Sequence, residues 1–258
     1  MPTLLSHTAK DHLAVALDFP EAAQAIALVD RLGNACSWYK VGMELFYAAG
    51  DHIVSQLHDR GFNVFLDLKL HDIPNTVAAA VRSVSQTGAS LLTIHATGGA
   101  AMMSAAAVAA ASPGAPRLLA VTVLTSMDAN ELAGIGINAS PADQVLRLAR
   151  LAQSSGINGF VCSPEEVAML RKKTGPDSLL VVPGIRPAGS ETRVSSGDDQ
   201  KRIATPAKAI ADGASLLVVG RPITRAADPL AAAHAILEEI QETIEHSRTA
   251  PRRQAAKA

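Results

Sequence analysis

The sequence predicts an α/β protein of one domain, a closed (β/α)8 barrel of the TIM type with eight parallel strands. Three observations lead there. Eight short apolar runs recur with starts between 20 and 41 residues apart, and each gap has room for a helix and two loops. The runs are continuously apolar rather than alternating, the pattern of parallel strands covered on both faces. The chain has 258 residues, 48% of them hydrophobic, and about 250 residues is the usual size of such a barrel. Eight strand–helix units at this length favour a closed barrel over a doubly wound sheet.

The elements follow in order. The first strand is expected over Leu13–Asp18, with Pro20 opening a helix after Phe19. The second covers Ser37–Gly42 and the third Asn63–Leu70; Pro74 then suits the first turn of a helix. The fourth covers Leu91–Ala96. Ala100–Ala111 after it is Ala-rich, and Ala is the best helix former, so this is a helix and not a low-complexity tract. The fifth strand is Leu118–Leu124, followed by Ser140-Pro141 as N-cap and first helical residue. The sixth is Gly159–Ser163, and Ser163-Pro164-Glu165-Glu166 repeats that start signal. The seventh, Leu179–Ile185, runs into the polar, Gly/Ser-rich stretch Arg186–Lys201, read from its length and place as a lid. The eighth is Leu216–Gly220. Residues 1–10 form an N-terminal extension, 11–245 the barrel domain, and 246–258 a polar, basic, disordered tail.

Bulk properties narrow the function. A formal net charge of −1 argues against a nucleic-acid or membrane-surface partner. No apolar run reaches the roughly 18 residues of a transmembrane helix, and Met1–Lys10 lacks the apolar stretch of a signal peptide. Cys36 and Cys162 form no CxxC pair, which points to a reducing compartment without disulfides or a zinc site. A cytoplasmic location is expected.

The chemistry concentrates in Asp67-Leu68-Lys69-Leu70-His71-Asp72. Asp67 and Lys69 stand two apart in an apolar strand pattern, which places both on one face. Buried charges cost several kcal/mol each unless paired, so an acid, a base and an acid at the mouth of a strand point to catalysis. Each has a bland alternative: a structural ion pair for Asp67 and Lys69, a helix N-terminal acid for Asp72, a cap for Asp18 and a snorkelling lysine for Lys40. His71 and His95 read as packing residues and Cys162 as core.

In such barrels the active site lies at the C-terminal ends of the strands. Asp18, Lys40, Asp67, Lys69, His95, Thr125-Ser126, Arg186 and Arg221 all fall there. The loops after strands seven and eight often form a phosphate site. Gly220 lets backbone amides approach an anion, and Arg221 adds a planar fork matched to its oxygens. Together with the lid, this indicates a phosphorylated small molecule.

The segment Asp67-Leu68-Lys69-Leu70-His71-Asp72-Ile73-Pro74-Asn75-Thr76 resembles the D-x-K-x-x-D-I-x-x-T signature of the orotidine 5'-monophosphate decarboxylase family at every defined position. Val15–Asp18, Lys40–Gly42, Thr122–Ser126, Pro183–Arg186 and Gly220–Pro222 match in order, so the resemblance spans roughly residues 12–240. It implies decarboxylation of orotidine 5'-monophosphate to UMP and CO2 in pyrimidine biosynthesis, by a homodimer with neither metal nor cofactor. Lys69 resembles the proton donor to C6, and Asp67 the carboxylate near the departing CO2. Asp72, with Thr76, resembles the group that crosses the dimer interface into the partner's site, and Ile73 resembles a substrate-binding residue. Asp18 and Lys40 resemble the residues that hold the ribose hydroxyls and anchor the charge network, and Thr125 (or Ser126) the one that reads the base. Gln200, Arg221 and the Gly220 backbone resemble the phosphate grip, with Arg186 at the root of the lid. A Mg2+-dependent sugar-phosphate decarboxylase or aldolase of the same barrel superfamily is the alternative. Such enzymes carry an acidic metal ligand where this chain has Lys40.

Overall fold

The structure is a computed structural model and describes residues 8–187 and 202–249. Eight parallel strands close into a barrel in chain order: β1 (Leu13–Ala16), β2 (Trp38–Gly42), β3 (Asn63–Leu70), β4 (Leu91–His95), β5 (Arg117–Val121), β6 (Gly159–Val161), β7 (Leu179–Val182) and β8 (Leu216–Val219). β8 returns beside β1, with Ala14 opposite Val218 on one side and Trp38 on the other. All eight expected strands are present, but several stop short of their expected C-terminal ends. Leu17, Val123, Cys162 and Ile185 lie past the regular ladders and are still buried, with Leu17 N donating to Lys40 O at 2.9 Å and Ile185 bridging to Ala204. Apolarity therefore outlasts the regular ladders, because these residues still pack into the core shared with the helices.

The gaps hold α1 (Ala22–Leu32), α2 (Met43–Ala49), α3 (His52–Asp59), α4 (Pro74–Val84), α5 (Gly99–Ala109), α6 (Ala129–Gly134), α7 (Pro141–Ser154), α8 (Val167–Thr174) and α9 (Pro206–Ala211). After β8 come α10 (Arg221–Thr224) and α11 (Pro229–Thr249). Pro74 opens α4, and the Ser140 hydroxyl caps α7 by accepting from Asp143 N at 3.1 Å. Pro20 does not open α1. The helix starts two residues later, because its N-cap Glu21 is still extended at φ −135°.

Alternation along the strands divides the core in two. Ala14, Ala16, Trp38, Phe65, Leu91, Leu119, Val181 and Val218 belong to the cluster inside the barrel. Leu13, Val15, Tyr39, Val64, Leu66 and Leu92 face the other way, into the layer shared with the helices. Ala14 and Ala16 are small where the neighbouring strand presents the Trp38 indole, so the inner layer fills without overpacking.

Both ends of the barrel domain extend further than expected. Ala9–His12 form a 3-10 turn, Ala9 is buried, and His12 Nδ1 lies 2.9 Å from Ser215 O at the entry to β8. α11 continues through His246–Thr249, which the sequence alone places in the tail. Polar residues do not stop a helix without a breaker, and the first proline comes at Pro251. The expected lid lies mostly outside the described residues, as does the remainder of the tail. Among the described residues no helix is long and apolar enough to cross a membrane.

Candidate active site

β3 carries the centre of the site, though not by plain alternation. Its register against β4 slips between Leu66 and Leu70, and Lys69 has φ +52°. Among the described residues Lys69 is the only non-glycine with positive φ. A left-handed conformation costs such a residue about 1 kcal/mol or more. It folds the lysine back, so that Lys69 Nζ lies 2.8 Å from Asp67 Oδ2. The two charges do meet, as the sequence leads one to expect, but across a bulge rather than along a regular strand.

Thr93 on β4 holds the bulge from the other side. Lys69 N donates to Thr93 Oγ1 at 2.9 Å, and that hydroxyl donates to Asp67 Oδ1 at 2.9 Å. Thr93 is fully buried. Sequence reasoning missed it, although the signal was present: a lone hydroxyl in Leu91-Leu92-Thr93-Ile94, two residues from the inward-facing Leu91.

Lys40 lies two residues past the inward-facing Trp38 on β2. Its ammonium sits 2.8 Å from Asp18 Oδ1 and 3.9 Å from Asp67 Oδ2. Lys40 is buried, so the snorkelling alternative fails. Gly42 makes room for this pair. A Cβ there would lie 2.9 Å from both Asp18 Oδ1 and Lys40 Nζ. Asp18, Lys40, Asp67 and Lys69 thus form a row of alternating sign. Burial works to raise the Asp67 carboxyl. The Lys40 and Lys69 charges, with hydrogen bonds from Lys69 and Thr93, outweigh it and hold the group below its ordinary range. Asp67 is therefore ionised at neutral pH.

The row forms one wall of a cavity of about 280 Å³ at the C-terminal ends of the strands. Leu124, Thr125, Gly184, Arg186, Gly220 and Arg221 contribute other walls. Arg221 opens α10, and Arg186 Nη1 donates to Ile185 O at 2.9 Å. A Cβ on Gly220 would meet Ala16 Cβ at 3.5 Å and Asp18 Oδ2 at 3.9 Å, ordinary contacts. Packing alone does not require glycine there. Cys162 also lines the cavity, but burial pushes its thiol up to about 12, so it is a protonated core residue.

Other residues of the expected set lie outside this cavity's lining or outside the described residues. Asp72 is exposed and accepts from Ile73 N at 2.6 Å. Together with His71, Ile73 and Thr97 it lines a separate open depression on the surface. Ile73 is 66% exposed, and Thr76 is exposed in the first turn of α4. Gln200 lies outside the described residues. The His71 and His95 rings meet tilted by 36°, with centroids 5.3 Å apart. Burial, then the charges of His71 and Lys69, pull the His95 imidazole below its ordinary range against the opposing pull of Asp67.

This arrangement has close parallels. A sequence model of the orotidine 5'-phosphate decarboxylase / HUMPS family matches residues 11–236. The chain belongs to that family. An orotidine 5'-phosphate decarboxylase of Halorhodospira halophila is 55% identical over 229 residues, covering 88% of this chain and 95% of the relative. One from Chromobacterium violaceum is 52% identical over 229 residues, with 88% and 91% covered. A crystal structure of orotidine 5'-phosphate decarboxylase from Lactobacillus acidophilus superposes with a TM-score of 0.77 at 41% identity, covering 88% of this chain and 98% of that one. The family drawn from the Asp67–Thr76 signature is therefore the right one. Among the described residues no group of three His, Cys, Asp or Glu side chains could hold a metal ion.

Proposed function

We propose that this orotidine 5'-phosphate decarboxylase of pyrimidine biosynthesis expels CO2 from C6 of orotidine 5'-monophosphate, and that Lys69 then protonates C6 to give UMP. The observation that carries the proposal is the row Asp18–Lys40–Asp67–Lys69, closed by contacts of 2.8, 3.9 and 2.8 Å, in a cavity that also reaches Arg186 and Arg221.

Loss of CO2 leaves a carbanion at C6 with no neighbouring electron sink. The barrier reduction required is near the top of the enzymatic range, on the order of 20 kcal/mol. One ammonium at ~4 Å supplies roughly 4 kcal/mol at an effective dielectric of ~20. Lys69 alone is insufficient. The remainder comes from charges fixed before the reaction and from binding energy of groups remote from C6. Asp67 aims the Lys69 amine through their 2.8 Å contact, and Lys40 with Asp18 fixes Asp67 while presenting polar groups to the ribose. Thr125 faces the base. Arg221, the Gly220 backbone, Gln200 and Arg186 hold the phosphate, each charge-assisted hydrogen bond contributing roughly 1.5–3 kcal/mol.

Asp72, Ile73 and Thr76 act in a second copy's cavity across a homodimer interface. Their place on the surface beside, rather than in, their own chain's cavity supports that assignment. The Mg2+-dependent sugar-phosphate alternative fits these residues poorly, because Asp18 and Asp67 already face the Lys40 ammonium, which would repel a cation.

Conversion of orotidine 5'-monophosphate is followed by its loss of ultraviolet absorbance. Lys69→Ala is expected to abolish turnover while UMP binding and the fold persist. Arg221→Ala is expected to lower kcat/KM by about a hundredfold or more, yet barely change it for orotidine without its phosphate. Near-normal turnover by Lys69→Ala, or equal losses on both substrates for Arg221→Ala, would refute the respective roles.

A further inference from the structure

A buried ion pair behind the cavity has no part in the chemistry described above. Arg202 is placed beside the end of β7 by a parallel bridge between Ile185 and Ala204. Arg186 N donates to Ala204 O at 2.9 Å, and Ala204 N to Gly184 O at 3.2 Å. From there the Arg202 guanidinium reaches two other elements. Nη1 pairs with Glu166 Oε1, Nη2 donates to Leu124 O at 3.0 Å, and Nε is buried with no partner among the described residues. The other Glu166 oxygen accepts from Ser163 N at 2.7 Å and Ser163 Oγ at 2.5 Å, closing a capping box just past β6. Arg202 is 9% exposed, Glu166 3% and Ser163 0%.

Folding economy does not account for these charges. A capping box needs only an acceptor, which glutamine also supplies. A buried ion pair often stabilises no better than an apolar pair of the same volume. What a guanidinium adds is geometry: a planar fork that fixes two acceptors relative to each other. Here the two acceptors are the carboxylate that caps the end of β6 and the carbonyl of Leu124. Leu124 and Thr125 form one wall of the cavity, and Arg186, in the segment paired with Ala204, forms another.

We propose that Glu166 and Arg202 form a positioning pair that sets the Leu124–Thr125 wall and thereby governs recognition of the substrate's base. The inference rests on the cavity being the nucleotide site. Neither residue touches substrate; both act through the Leu124 carbonyl.

Arg202→Lys keeps a positive charge opposite Glu166 but loses the second donor. Glu166→Gln keeps an acceptor for the capping box but releases Arg202. The experiment measures kcat and KM for orotidine 5'-monophosphate, and inhibition constants for UMP and for ribose 5-phosphate, which lacks the base. Melting temperatures are recorded alongside. Both variants are expected to raise KM and the UMP inhibition constant by about tenfold or more. The ribose 5-phosphate constant should stay within about twofold and kcat should change less than KM. Equal weakening of both inhibitors, or no change in either, would overturn the proposal. So would failure of both variants to fold, since the pair would then be a folding element. Wild-type protein that does not bind UMP would instead refute the nucleotide site itself, and that is seen before any substitution is made.

Discussion

Asp67 is held by two lysines and one threonine, and the threonine is the least obvious of the three. Its hydroxyl accepts from the backbone of Lys69 and donates to Asp67, so a single group supports both the left-handed residue and the carboxylate that faces it. Thr93→Val keeps the shape but leaves a buried N–H and a carboxylate oxygen unpaired, at about 1–3 kcal/mol. It is expected to lower kcat by about tenfold or more with a modest fall in Tm; unchanged kcat would show that the bulge does not depend on Thr93. His95 makes a second prediction. An unfolded chain takes up its imidazole proton near pH 6.5, whereas burial in the folded chain holds that pKa lower. Its contribution to stability is therefore complete above about pH 6.5 and is lost as the pH falls from there through the folded value. Tm measured against pH should fall less steeply below about pH 6.5 in His95→Gln than in the wild type. Parallel profiles would contradict that assignment.

Elements were easier to read than the details inside them. Apolar runs located all eight strands, because a parallel strand covered on both faces must be apolar throughout. Their ends were misjudged where residues such as Val123 and Ile185 stay buried beyond the ladder. The charged cluster on β3 was visible from Asp67, Lys69 and Asp72, but its bulge was not. Nothing in Leu66-Asp67-Leu68-Lys69 announces a positive φ at lysine. Glu166 reads in the sequence only as part of a helix-start signal, and nothing there marks Arg202, since their pairing is a tertiary contact between elements far apart in sequence. Arg171 on α8 shows the same limit. Its guanidinium donates to Gly213 O, Gly175 O, Pro176 O, Ser178 O and Ser215 Oγ at 2.7–3.0 Å, tying α8 to the entries of β7 and β8. Arg171→Ala strips several carbonyls of their donor and is expected to cost about 3 kcal/mol in urea unfolding. Activity at low temperature should be retained, because Arg171 does not line the cavity. A loss under about 0.5 kcal/mol would show that water replaces the clamp.

At the scale of the whole molecule the barrel collects the charged row at one end, and closure gives each side chain a fixed place relative to the others. Asp72, Ile73 and Thr76 stand outside that arrangement, on the surface beside α4. If they serve a second copy's cavity, activity belongs to a pair of chains. Asp72→Asn and Lys69→Ala proteins, each nearly inactive, are then expected to regain up to about a quarter of wild-type activity when mixed as re-equilibrated subunits. Random pairing makes about half the dimers mixed, and one site in each is intact. No regain would assign Asp72 to its own chain or to structure alone.

Proton delivery by Lys69 is the central claim, and microscopic reversibility offers the most direct measurement of it. A group that protonates C6 in the forward direction must remove the C6 proton of UMP in reverse. The wild-type enzyme in deuterium oxide is therefore expected to exchange hydrogen at C6 of UMP for deuterium, as followed by proton NMR. Lys69→Ala, saturated with UMP, should show no exchange above the uncatalysed rate. Exchange at the wild-type rate in that variant would mean that another group carries the proton.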